Sequence, residues 1–117
     1  RLAQYLTGVQ IVCGHAEPVG RRWQVGFATA PCVHGCGTCK PVTMDRLNPA
    51  GAPIVFVGDG LSDRHAAGRA DVVFAKERLA AFCDQQRIAY TPYDTLATVA
   101  RWLGRRAWTD TRMSPTP

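Results

Sequence analysis

Pro53 is followed by an unbroken apolar run, Ile54-Val55-Phe56-Val57, that ends on Gly58-Asp59-Gly60. A continuous run of this kind is the pattern of a parallel strand covered on both faces, because neither face alternates to polar residues. The next residues fit such a strand. Ser62 or Asp63 can cap a helix over roughly 63–69, and Asp71-Val72-Val73-Phe74 reads as a second buried strand. Lys76 to Arg87 reads as a helix with Leu79, Phe82 and Cys83 on one face. Ile88-Ala89-Tyr90 reads as a short strand. Asp94 then caps a last helix through about Arg106, with Leu96, Val99, Ala100 and Leu103 as its apolar stripe. Alternating strands and helices predict an α/β architecture with a parallel sheet.

The chain before residue 50 is less regular. Residues 1–7 read as the end of a helix stopped at Gly8. Val9-Gln10-Ile11-Val12-Cys13 is β-branched and apolar, as a buried strand is. Pro18, Gly20, Arg21 and Arg22 mark a turn, and Trp23 to Phe27 alternates as a half-exposed strand does. These two strands are expected to pair as a hairpin with a long loop. A Cys/Gly loop covers 31–40, and a short helix is expected over 41–47, because Pro41 suits a first helical turn. Asn48-Pro49-Ala50-Gly51 closes that helix.

At 117 residues one domain is expected. We assign 1–106 to it and read 107–117 as a disordered tail. No apolar run reaches the ~18 residues of a membrane span, so no membrane partner is expected. The first residue is Arg1, not Met, so the true start is expected upstream or removed. The net charge of +5 suits an anionic ligand. The arginines are scattered without an aromatic-basic stripe, which argues against nucleic acid. Five cysteines, three of them within eight positions, do not resemble a secreted disulfide framework and point to a cytoplasmic protein.

Two constellations carry chemistry. In the first, the strand ending at Val57 delivers Asp59 and Asp63, four residues apart, to its C-terminal end, where ligands bind in open α/β sheets. Two carboxylates on one tight loop are hard oxygen donors that suit Mg²⁺. The flanking Gly58 and Gly60 let the backbone turn and leave room for a ligand. The alternative is that Gly-Asp-Gly is a common turn and Asp63 a helix cap alone.

The second constellation is Cys32-Val33-His34-Gly35-Cys36-Gly37-Thr38-Cys39-Lys40-Pro41. Cys32, His34, Cys36 and Cys39 make a candidate zinc set, although the paired CxxC layout is absent. The alternative is that these cysteines pack and shape a loop. Lys40, at a helix start, can hold a phosphoryl group with its point charge beside free backbone N–H groups. A solvated surface lysine is the alternative.

Together, Lys40-Pro41 and Gly58-Asp59-Gly60-Leu61-Ser62-Asp63 resemble the third and fourth motifs of phosphatases of the haloacid dehalogenase (HAD) superfamily, in its phosphoserine-phosphatase-like branch. Within that branch, Cys36-Gly37-Thr38-Cys39-Lys40 and Ala70-Asp71-Val72-Val73-Phe74-Ala75 are similar to the methylthio-ketopentenyl-phosphate phosphatases. The resemblance runs from about residue 7 to 104. It implies the C-terminal part of a Rossmann-like HAD core and a Mg²⁺-dependent hydrolysis of small phosphorylated metabolites through an aspartyl-phosphate. Carried over, Asp59 ligates Mg²⁺. Asp63 serves the metal site by orienting a bound water or Lys40. Lys40 neutralises the phosphate, and Gly60 shapes the phosphate-binding loop.

The nucleophile motif DxDx(T/V) of that superfamily is absent from these residues, and so is an identifiable second motif. In the family the nucleophile strand is central and neighbours the strand ending at Asp59. The sheet is therefore expected to lack its centre, leaving unpaired inner edges. From this we expect the 117 residues alone to be inactive and not independently stable, with the missing N-terminal half supplied in cis or in trans. Two alternatives stand beside this: a small Cys/His zinc-binding module, and a noncatalytic HAD-like domain that docks a complementing chain.

Overall fold

The structure, a computed structural model, describes residues 2–27, 32, 33, 35 and 37–105. It forms two compact units, Arg1–Leu47 and Asn48–Pro117. The expected tail at 107–117 lies outside the described residues, as does Arg106. Among the described residues, no helix is long and apolar enough to cross a membrane.

In the first unit a 3₁₀ turn, Leu2–Tyr5, leads into chain that forms no strand at 9–13. Val9 and Ile11 are 57% and 50% exposed. The expected strand here is therefore corrected. β-branched residues favour a strand only where a neighbour supplies ladder bonds and cover, and among the described residues 9–13 has no such neighbour. The ribbon begins later: β1 (His15–Val19) pairs antiparallel with β2 (Arg22–Gly26), Val19 opposite Arg22. The hairpin loop is thus not long but two residues, Gly20-Arg21. Gly20 has φ 61, as the first position of a type II′ turn requires. The next element is α1 (Lys40–Leu47). The Cys39 carbonyl accepts both the Thr43 N–H at 3.0 Å and the Thr43 hydroxyl at 2.9 Å, and Pro41 sits in the first turn as expected.

The second unit opens on a self-closed loop. The Asn48 side chain donates to the Ala52 carbonyl at 2.8 Å and accepts the Ala52 N–H at 3.0 Å. The apolar run becomes β3 (Val55–Gly58), followed by a 3₁₀ turn (Leu61–Asp63) and α2 (Arg64–Ala67). Then come β4 (Val72–Ala75), α3 (Glu77–Gln86), β5 (Thr91–Pro92) and α4 (Leu96–Gly104). The sheet order is β3-β4-β5, all parallel. The architecture is α/β, with a three-stranded parallel sheet.

Both faces of that sheet are covered, which is why β3 and β4 carry no polar side chain. Val73 and Ala75 pack with Ala67, Leu79 and Cys83 of α2 and α3. Val72 and Phe74 point the other way, to Val99, Trp102 and Leu103 of α4. The rings of Phe74 and Trp102 meet edge to face, with centroids 5.4 Å apart.

Two expectations shift in this unit. The last strand is Thr91–Pro92, not 88–90. The Ile88 N–H is spent on the Cys83 carbonyl in closing α3, with Arg87 in the left-handed region at φ 57, so the chain reaches β4 only at Thr91. The last helix begins after Thr95 rather than being capped by Asp94. Its inward stripe is the buried Val99 with the half-buried Trp102 and Leu103, while Leu96 is 67% exposed and Ala100 is also exposed. Positions 99, 102 and 103 share one helical face, and the sheet takes that face.

Candidate functional site

β3 ends at Gly58, and the next residue, Asp59, stands at the C-terminal edge of the parallel sheet. Asp59 is exposed, whereas Asp63 is buried, with 6% of its surface exposed. The two carboxylates therefore do different work. Asp63 Oδ2 accepts the N–H groups of Asp59 and Gly60, both at 3.1 Å. The expected cap is thus redirected: no Asp63 side-chain bond caps α2, and the carboxylate reaches back to close the loop that carries Asp59.

That closure explains Gly58. A Cβ there would lie 2.6 Å from Asp63 Oδ2 and 2.8 Å from its Cγ, so the glycine is needed for space. Gly60 has neither need: its backbone is extended, with φ −115, and a Cβ would find nothing nearer than Ser62 Oγ at 4.0 Å.

The loop is also held from the neighbouring elements. The Gly58 carbonyl accepts the Lys76 N–H at 3.3 Å, and the Asp59 carbonyl accepts the Leu79 N–H at 3.0 Å. Leu79 belongs to the first turn of α3, whose N–H groups lack partners within the helix, so the loop satisfies one of them. Between these two bonds Glu77 is forced to φ 52, a left-handed conformation costing on the order of 1–3 kcal/mol in a non-glycine residue.

Tyr93, one residue past β5, donates its hydroxyl to the same Gly58 carbonyl at 3.3 Å. Burial, and then the negative charges of Asp59, Asp63 and Glu77, push its hydroxyl pKa up, so it remains an O–H donor at neutral pH. Lys76 Nζ lies 5.3 Å from the Tyr93 ring centroid and donates to the Asp94 carbonyl at 3.2 Å. Neither Tyr93 nor Lys76 stands out in the sequence. With the last strand expected at 88–90 rather than 91–92, the sequence gives no sign that Tyr93 stands at the sheet edge.

Asp59, Gly60 and Asp63 thus share one loop of the second unit. Lys40 belongs to the first unit, as the first residue of α1. Of the Cys/His set, Cys39 is fully buried beside the start of α1 and Cys32 is half-buried. His34 and Cys36 lie outside the described residues. Among the described residues no group of three or more His, Cys, Asp or Glu is placed to hold a metal. Cys13 and Cys83 are free thiols.

No protein-family model matches the chain. Individual proteins do. Over 101 residues it is 38% identical to the 2-hydroxy-3-keto-5-methylthiopentenyl-1-phosphate phosphatase of Bacillus mycoides, covering 84% of this chain and 46% of that protein. Over 97 residues it is 34% identical to the phosphatase of the same name from Exiguobacterium sibiricum, covering 80% of this chain and 44% of that protein. The chain therefore spans about half the length of the curated relatives it matches.

Proposed function

We propose that this chain is the C-terminal part of a Mg²⁺-dependent phosphomonoester hydrolase with a HAD-type, Rossmann-like core, and that it works through an aspartyl-phosphate whose nucleophile lies outside these 117 residues. The observation that carries the reading is the exposed Asp59, clasped by the buried Asp63 at the C-terminal edge of a parallel sheet. Similarity to named phosphatases over most of the chain supports it.

The donors fit Mg²⁺ as a partial set. Mg²⁺ keeps several waters and is usually bound through one or two carboxylates, so a single exposed oxygen ligand from this loop suffices if the nucleophile supplies the other. Asp59 would be the direct ligand. Asp63 would serve the metal by fixing the backbone on either side of Asp59. The open surroundings of Gly60 suit the approach of a phosphate oxygen. Lys40 would neutralise the phosphoryl group with its charge. When bound, Mg²⁺ would offset charge on the transferring phosphoryl group.

β3 pairs with β4 on one side, and among the described residues its other edge has no partner. We assign that edge to the strand bearing the nucleophile, supplied by the missing N-terminal half in cis or in trans. The substrate class is a small phosphorylated metabolite. The phosphorylated ketone in the relatives' name is the first compound to assay. The cytoplasm belongs to this reading because three cysteines within eight positions do not resemble a secreted disulfide framework.

The test compares the isolated 117 residues with a longer protein that contains them. The longer protein is expected to hydrolyse a phosphomonoester only with Mg²⁺, and Asp59→Asn to remove that activity by at least about 100-fold, as loss of an essential electrostatic group does. The isolated chain is expected to be inactive. Phosphatase activity of the isolated chain that is lost on Asp59→Ala would refute the requirement for a supplied nucleophile. Activity of the longer protein that survives Asp59→Asn would refute the role of this loop.

A further inference from the structure

We propose that Tyr93 is a positioning residue for Asp59, fixing the direction of its carboxylate by holding the Gly58 carbonyl. The inference rests on the phosphatase reading for its consequence, but its geometry is independent of it.

The direction of the Asp59 side chain is set by the two planar peptide units that meet at its Cα. Each is tied at both ends. The unit between Gly58 and Asp59 offers its carbonyl to the Lys76 N–H and the Tyr93 hydroxyl, both at 3.3 Å, and its N–H to Asp63 Oδ2 at 3.1 Å. The unit between Asp59 and Gly60 offers its carbonyl to the Leu79 N–H at 3.0 Å and its N–H to the same Asp63 oxygen at 3.1 Å. Two rigid plates clamped at four points leave the Cα–Cβ bond of Asp59 little freedom. Of the side chains that close this clamp, Asp63 is local in sequence, and Tyr93 is 35 residues away from the carbonyl it binds.

Tyr93 is itself built in. It packs with Val72, Phe74 and Val99. The pairing of Ala75 with Pro92 places it directly after the last rung of the sheet. Its side chain crosses the end of β4 to reach β3, and Lys76 Nζ sits over its ring. Other packing surfaces need only the ring, whereas the hydroxyl is placed where it meets the loop.

The test uses the longer protein with Tyr93→Phe, which keeps the ring and its packing and deletes the donor. The expected result is a rise of about 5-fold in the Mg²⁺ concentration for half-maximal activity, the equivalent of one ordinary hydrogen bond, with the KM for substrate unchanged. Amide exchange at Asp59 and Gly60 is expected to accelerate, while exchange at Val72–Ala75 stays as in the parent. A uniform acceleration across the sheet with a lower melting temperature would overturn the proposal, because Tyr93 would then be only a core residue. Unchanged Mg²⁺ dependence and unchanged exchange at Asp59 would overturn it as well. If the parent protein shows no Mg²⁺-dependent activity, the phosphatase reading fails, and the exchange at Asp59 and Gly60 alone decides the role of Tyr93.

Discussion

Trp23 in β2 and Phe74 in β4 are large aromatic residues on short strands, yet one is 70% exposed and the other fully buried. The register of the ribbon brings Ala16, Pro18, Trp23 and Val25 to one face and Glu17 and Gln24 to the other. The pattern is amphipathic, but within its unit this two-stranded ribbon stays exposed at every position except the half-buried Gly26. β4 instead lies between two strands and between helices on both faces. The difference is one of cover rather than composition. A two-stranded ribbon is marginal in water, and it takes a third strand or a packed layer to turn apolar residues into a core.

The sharpest way to break this comparison is to truncate both aromatics. In the longer protein that contains these residues, Phe74→Ala is expected to cost about 3–5 kcal/mol in urea denaturation, as buried aromatics do. Trp23→Ala is expected to stay within about 0.5 kcal/mol, as exposed substitutions do. A Trp23 variant as damaging as the Phe74 variant would mean that the ribbon carries a core of its own.

Glycines sharpen it next. Gly58→Ala is expected to destabilise by roughly 1–3 kcal/mol, because the added Cβ meets the Asp63 carboxylate in a packed region. Gly20→Ala faces open space, and its cost, about 1 kcal/mol, comes from the positive φ alone and falls on the ribbon. Thermal melts of the two variants should separate accordingly, and equal melting temperatures would contradict the distinction.

The smallest effect is chemical. Cys13 is exposed, and Cys83 is fully buried with its thiol pKa pushed up by burial and then by Asp84. Since the thiolate is the reactive form, a maleimide at neutral pH should label Cys13 well before Cys83. Mass spectrometry of the labelled chain checks the order.

The features legible in the residues themselves were local. The Ile54–Val57 run, the Val72–Phe74 run, Pro41 at a helix start and the Leu79/Cys83 face each announce their element within one or two residues, because period and turn chemistry are properties of neighbours. The features that stayed hidden depended on distant partners. Val9–Cys13 has the composition of a strand and no ladder among the described residues. The last strand slid to Thr91 because the closing of α3 consumed Ile88. The stripe of α4 turned toward Trp102 because the sheet lies on that side. The site divides in the same way. Asp59 and Asp63 were visible as a pair, but the inward turn of Asp63 and the reach of Tyr93 depend on packing that no local pattern encodes.

β3 is fastened near both ends to later parts of the chain. At its start the Ile54 N–H donates to Asp71 Oδ2 at 2.7 Å, and the Ile54 carbonyl takes the N–H groups of Asp71 and Val72. At its finish the Gly58 carbonyl is held by Lys76 and Tyr93. In mechanical terms the strand is a beam pinned at two supports on the buried β4. The tip that carries Asp59 should therefore fluctuate with the small amplitude of the core rather than that of a surface loop, although its carboxylate faces solvent.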